Sequence, residues 1–469
     1  MSHGPDSAAI SPAFLARVLP ERLGPAWVVG GWVRDRLLGR LAADCDLVVE
    51  RSAEEAAASA ARRLAGSFVA LARGNFRVVV PGLHVDFTRP RAPTIEQDLL
   101  ERDFTINAIA LPRQHLRSTR WREHLVDPAG GLRDLSRGLV RAVRPEAFDR
   151  DPLRMLRAIR FAAALGFKIH PATRRAIASR SHLISQVSGE RLREEFFSIL
   201  RSDRADHHLA TAARLGLLGA LMPELTRLSG IEQGKFHVKD AFHHTLLSVR
   251  HINSLLRARR PWLKEWDGKV QELLSRPIAG GRTHADMLRF AALAHDLGKA
   301  QTRMEDRTGV HFYGHPVVSA EMAVRIAQRL RLGRKEQAVV RILAANHMRP
   351  LLLARATPTE RSIRRLLLAA GEQTVPLGLL AIADLLASGS PAAARRSQQQ
   401  LAARLASAAF SEHARRPPLV DGHKIMRRYN LQPGVEVGRL LQIARRAQME
   451  RGLRTEADVW RILDKAVRR

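Results

Sequence analysis

Apolar positions keep two different rhythms along this 469-residue chain. Up to about residue 94, short apolar runs alternate with brief helical stretches. Ala26–Val29 reads as a buried strand, 33–38 as a helix opened by the glycines before it, and 46–49 as a second strand. An alanine-rich helix over 56–64 follows, and Phe76–Val80 pairs with 84–87 around the Pro81-Gly82 turn. A short helix over 14–19 comes after a loose polar leader. Beyond residue 94 the spacing is helical almost throughout, down to an amphipathic stretch over Ala392–Phe410. The fold class that follows is α+β, a small mixed-sheet head followed by an all-helical neck and a helical body. Breaks at Arg141 to Pro145, at Gly230 to Gly234, and at 390–415, closed by Arg415-Arg416-Pro417-Pro418, divide the chain into 1–140, 141–230, 231–390 and 391–469.

Length and charge sharpen this picture. One ordinary core does not serve a chain this long, and about two to four domains are expected. Lys and Arg total 77 against 46 Asp and Glu, a formal charge of +31, with only nine lysines. A GC-rich genome would account for Arg over Lys, but not for basic over acidic. The excess runs along the whole chain and points to a polyanionic partner held through its phosphates. Cys45 is the only cysteine, which excludes an internal disulfide and suits a reducing cytoplasm. A polar N-terminus without a basic-then-apolar leader, and no run of about 18 uninterrupted apolar residues, argue against export and membrane spanning. The longest mostly apolar run, 377–387, is broken by Asp384.

The densest chemistry lies early. Gly30-Gly31-Trp32-Val33-Arg34-Asp35 is followed by Leu38-Gly39-Arg40 and then by Asp44-Cys45-Asp46. Glycines ahead of a helix leave backbone N–H groups for an anion, and Arg34 adds a positive fork for a triphosphate. In a strand, Asp44 and Asp46 share a face and can hold divalent metal together, while Cys45 points the other way into the core. Metal-assisted nucleotidyl transfer needs such hard oxygen ligands. Asp86, between Val85 and Phe87, is the candidate third carboxylate. Asp151, Pro152 and Arg154 read as a helix start that sets Asp151 and Arg154 on one face, with Arg157 and Arg160 continuing the stripe toward phosphates. A carboxylate there can accept from the exocyclic amino group of cytosine or adenine, and Arg can donate to ring acceptors. Farther on, His244, His295-Asp296, His315, His347 and Asp384 form an ordered set suited to a divalent metal, with His315 and His347 as its outer candidates. His237, His243, His251 and His311 are read as structural.

These motifs, with the stretches 98–108, 126–132 and 151–161, resemble the signature of the class II bacterial tRNA nucleotidyltransferase and poly(A) polymerase superfamily. The histidine set resembles an HD-type phosphohydrolase domain. The resemblance implies a nucleotidyltransferase head using Mg²⁺, a neck that selects C and A without a template, an HD domain with its own divalent metal, and a C-terminal tail touching tRNA through Arg445, Arg446 and Arg451. It implies CTP, ATP and tRNA as partners. It also implies that Arg102 meets the incoming nucleotide, that Asp103 accepts from a ribose hydroxyl, and that the HD site hydrolyses 2′,3′-cyclic phosphates or phosphomonoesters. Three departures stand out. Glu101 replaces the first of two basic residues, Arg150 replaces a glutamate before Asp151, and the loop after Asp86 is reduced to Arg89-Pro90-Arg91-Ala92-Pro93. Addition of CCA, CC or A alone stays open, as do a poly(A) polymerase and an HD phosphohydrolase whose head only binds RNA.

Overall fold

The computed structural model describes residues 10–19, 24–233, 240–411, 419–451, 453 and 455–467, so the leader before residue 10, Gly234, His237 and the 415–418 punctuation lie outside the described residues. The chain divides into two compact units, Met1–Val187 with Arg214–Ala220, and Ser188–Ala213 with Leu221–Arg469. The boundaries expected near 140, 230 and 390 all fall inside these units.

In the first unit, β1 (Ala26–Val29), β2 (Asp44–Val49), β3 (Ser67–Ala70), β4 (Phe76–Val80), β5 (Leu83–Thr88) and β6 (Ala110–Pro112) form one sheet in the order β3-β4-β5-β2-β1-β6. β2 and β5 run parallel, and every other neighbouring pair is antiparallel. Alternation along β2 buries Cys45 and Leu47 and opens Asp44 and Asp46 to solvent. Register then sets Arg77, Asp86 and Asp46 opposite one another across β4, β5 and β2. Helix α1 (Pro12–Val18) is capped by Ser11, and α2 (Gly31–Leu37) follows β1 directly. In α3 (Ala53–Leu64), Ala56, Ala57 and Ala60 are fully buried, so small side chains let the helix lie close on β4 and β5. Helix α4 (Ile95–Leu100) begins where Thr94 accepts from the Gln97 N–H.

The neck is not wholly helical. The Leu153–Leu165 helix stops at Gly166, whose φ of +73° suits a residue without Cβ, and Lys168–Ile169 then pairs parallel with Leu139–Val140. Two short hairpins also interrupt the second unit, Pro277–Ala279 with Arg282–Thr283 and Met304–Asp306 with Gly309–His311.

In the second unit the Ala241–Arg257 helix packs on His284–Ala294 and on Thr374–Ala387, whose Leu377, Leu380, Ala381 and Ala383 are fully buried. The one described helical run long and apolar enough to cross a membrane, Glu360–Ala387, has 72 % of its most apolar window buried inside the protein. It serves as a core element. The expected Ala392–Phe410 helix is present, and the tail helices gather Val420, Ile425, Leu440, Val459 and Leu463 into a small cluster of their own.

The His284–Ala294 helix starts from a reciprocal cap between Thr283 and Asp286. Arg201 also donates to both Asp286 oxygens at 2.7 Å. Burial opposes ionisation of Asp286, but the Arg201 bonds and the Thr283 N–H outweigh it and hold the carboxyl below its usual value. A carboxyl depressed in this way stabilises the fold above its unfolded pKa, and that contribution is lost as pH falls through the folded value. Asp286→Asn is expected to cost about 1–2 kcal/mol in urea unfolding at neutral pH. The difference from the unmodified protein should shrink below about pH 4.

Candidate functional site

Gly30, Gly31, Arg34, Asp44, Asp46, Arg102, Asp103, Asp151, Arg154, Arg157 and Arg160 all line one cleft of about 410 Å³ in the first unit. Every head and neck residue given a metal- or nucleotide-binding role from the sequence is there except Asp86. Gly30 turns the chain from β1 into α2 at φ +71°, and a Cβ on it would lie 3.4 Å from Arg102 Nη1 and from Asp46 Oδ2. Glycine therefore keeps that corner open and unstrained. Asp46 opens into the cleft but sits deep enough that desolvation raises its carboxyl. Arg102 pulls it partly back, and Asp86 and Asp44 add to the rise. Negative charge concentrated in this way is what a bound cation would relieve. Beneath it, burial and the same acids push the Cys45 thiol well up, so it stays neutral and inert.

Asp86 stands opposite Asp46 on the neighbouring strand, as expected of a third carboxylate, but outside the residues that line the cleft. Arg77 donates to its two oxygens at 2.6 and 2.7 Å, because the antiparallel register sets these residues directly opposite. A bidentate partner satisfies this carboxylate outside the cleft lining.

The arginines are mostly anchored. Arg34 donates to both oxygens of Asp35 at 2.8 and 2.9 Å and to Asn107 Oδ1 at 2.7 Å. Asn107 in turn donates to Asp103 Oδ1 at 3.1 Å, and Arg157 donates twice to Asp103 Oδ2 at 2.9 and 2.6 Å. With the Phe104 N–H on Oδ1 at 2.8 Å, all four acceptor positions of Asp103 are engaged. Burial alone would raise this carboxyl, yet Arg157 and Asn107 hold it below its usual value. So Asp103, expected to read a ribose hydroxyl, lines the cleft and anchors Arg157 there. Arg102 leans on Asp98 at 3.1 Å. Asp151 accepts from the Leu153 N–H at 3.3 Å, near the expected cap. Arg154 places Nη2 on the Glu101 carbonyl at 3.4 Å, while its buried Nη1 has no hydrogen-bond partner among the described residues.

Sequence reasoning gave no role to Phe161, Asn107 or Arg77. The Phe161 ring lies within 5.4 Å of the Arg34, Arg157 and Arg160 guanidinium carbons, and so spaces three cations around one aromatic ring. Its position four residues after Arg157 was the available signal. The 126–132 stretch is structural. Asp127 accepts from the Gly131 and Leu132 N–H groups at 2.6 and 2.9 Å, and a Cβ on Gly131 would lie 2.2 Å from the Thr105 carbonyl oxygen.

In the second unit the six expected HD-type residues converge. His244, His295 and Asp384 form one group and Asp296, His315 and His347 another, each with its ligand atoms within 4.8 Å of one another. Asp296 faces both, with Oδ2 3.2 Å from His295 Nε2 and Oδ1 3.4 Å from His315 Nε2. Nδ1 of His295, His315 and His347 lies 2.7 to 2.9 Å from a backbone carbonyl, which directs each Nε2 lone pair inward. Two such Nε2 atoms, of His315 and His347, lie 3.2 Å apart, an arrangement that a cation stabilises. Burial, then His295, lowers His347 to about 3, keeping it neutral as a ligand must be. Despite burial, His295 and Lys299 hold Asp296 well below the usual carboxylate range. Lys299 also donates to Gln233 at 2.5 Å.

The poly(A) polymerase head domain model matches residues 26–82 and 77–141, the "probable RNA and SrmB-binding site of polymerase A" matches 166–228, and the HD domain matches 243–389. The chain is 34% identical over 436 residues to an A-adding tRNA nucleotidyltransferase of Deinococcus radiodurans, covering 90% of this chain and 91% of that one. It is 35% identical over 436 residues to a CC-adding tRNA nucleotidyltransferase of Thermus thermophilus, covering 91% and 90%. A solved CCA-adding enzyme in complex with ATP shares the fold at a TM-score of 0.62 and 21% identity, over 98% of this chain and 96% of that one.

Asp103→Asn keeps shape but removes the charge that anchors Arg157. Without any ligand it should lower unfolding stability by about 2 kcal/mol. Unchanged stability in a denaturant melt would show that Asp103 is not the anchor.

Proposed function

This chain belongs to the tRNA nucleotidyltransferase family, and from that premise we propose that it extends tRNA 3′ ends with C and A, as CCA or one part of it, using CTP and ATP. The observation that carries the reading is one cleft that combines a paired-carboxylate strand with a helix start bearing Asp151 and Arg154. Asp44 and Asp46 would hold Mg²⁺. When bound, the ion lowers the pKa of the attacking 3′-hydroxyl and offsets charge on the leaving pyrophosphate. Arg34 and Arg102, each fixed by a carboxylate, present oriented positive charge to the triphosphate. Asp151 accepts from the amino group of cytosine or adenine, and Arg154 donates to the neighbouring ring acceptor. Uracil and guanine offer a carbonyl where that amino group is needed.

In the second unit, His244, His295 and Asp384, and Asp296, His315 and His347, would hold divalent metal, which would supply a Lewis acid for a secondary hydrolysis of phosphomonoesters or 2′,3′-cyclic phosphates. An RNA substrate and a lone reduced cysteine support a cytoplasmic location.

The first test supplies tRNA lacking CCA, tRNA ending in CC, or intact tRNA, with CTP and ATP separately and together. Defined additions of one to three nucleotides are expected, and unlimited ATP incorporation on generic RNA would instead identify a poly(A) polymerase. Asp44→Ala with Asp46→Ala should abolish addition and leave metal in the second unit, whereas addition that survives would remove the carboxylates from the chemistry. Metal analysis of purified protein should find up to two ions in the second unit, reduced to one in His347→Ala. An undiminished content in Asp296→Asn would remove Asp296 from the ligand set.

A further inference from the structure

The two departures at Glu101 and Arg150 are one feature of the structure. Glu101 ends α4, and its carboxylate is ion-paired with Arg150 and lies 3.6 Å from Arg144. Its backbone carbonyl accepts from Arg154 Nη2 at 3.4 Å. One residue thus binds the position immediately before Asp151 through its side chain and Arg154 through its main chain. A basic residue at 101 would face both Arg144 and Arg150. The acid at 101 and the base at 150 are therefore consistent only with each other.

Resting on the function proposed above, we infer that the Glu101–Arg150 pair is a positioning device for base selection, which fixes Asp151 and Arg154 in register with each other. Three observations carry the inference. First, the loop holding Glu101 also holds Arg102 and Asp103, so the pair joins the wall of Arg102 to the helix that reads the base. Second, Arg154 lines the cleft with Nη2 on Glu101, and its buried Nη1 has no hydrogen-bond partner among the described residues, so the Glu101 contact is the hydrogen bond that holds this guanidinium. Third, Arg150 is the last residue of the Ala147–Arg150 helix and Asp151 is its cap, so the ion pair with Glu101 holds the backbone from which Asp151 projects. Arg150 and Arg144 are more than half exposed, so the pair adds little to stability, and its effect belongs in orientation.

The test measures kcat and KM for CTP and ATP against UTP and GTP in the full chain on tRNA acceptors, together with thermal melts. Glu101→Arg and Arg150→Glu alone should each reduce discrimination between amino-bearing and carbonyl-bearing nucleotides by about tenfold, with little change in Tm. The exchanged double variant, Glu101→Arg with Arg150→Glu, should recover most of that loss, because the ion pair is restored with reversed polarity. Single variants that keep discrimination within about twofold overturn the inference while the transferase reading stands. So does a double variant no better than the worse single, or a loss confined to Tm. An unmodified protein that transfers neither CMP nor AMP removes the transferase reading, and this inference with it.

Discussion

The site depends on the alternation of a single strand. β2 is flanked by β1 and β5, and its underside, Cys45 and Leu47, is sealed in the core. Shifting it by one residue would bury Asp44 and Asp46 and expose those apolar residues. Packing of the lower face thus holds two acids on the upper one, where burial raises the carboxyl of Asp46 and makes a cation favourable. Fold stability and the placement of the acid pair are linked through the same register.

Around those acids, fixed charge is distributed through a relay of carboxylates and an amide. Asp35 holds Arg34, Asn107 links Arg34 to Asp103, Asp103 holds Arg157, and Asp98 holds Arg102. A triphosphate meeting these arginines meets guanidinium groups already oriented, so little ordering remains for the binding step. Phe161 keeps three of the cations apart without neutralising them. The second unit follows the same logic with imidazoles, whose backbone-bonded Nδ1 atoms direct the Nε2 atoms toward one buried aspartate.

Much of this was legible in the sequence because it rests on local periodicity. β1 begins and ends where its apolar run does, the Pro81-Gly82 hairpin forms, and the ordered histidines meet. What escaped depends on register and reach. β3 is exposed at all four positions and carries no alternation to read. The engagement of Asp86 by Arg77 follows from strand pairing, and the saturation of Asp103 follows from a long arginine arriving from 54 residues away. Glu101 and Arg150 looked like separate oddities because nothing local to either one names the other.

The most direct measurement is the position of Mn²⁺, located by anomalous diffraction, in crystals grown with a non-hydrolysable CTP analogue. The account predicts a peak at about 2.2 Å from carboxylate oxygens of both Asp44 and Asp46, beside the nucleotide phosphates. A nucleotide seated elsewhere, or a metal that ignores both aspartates, would contradict it.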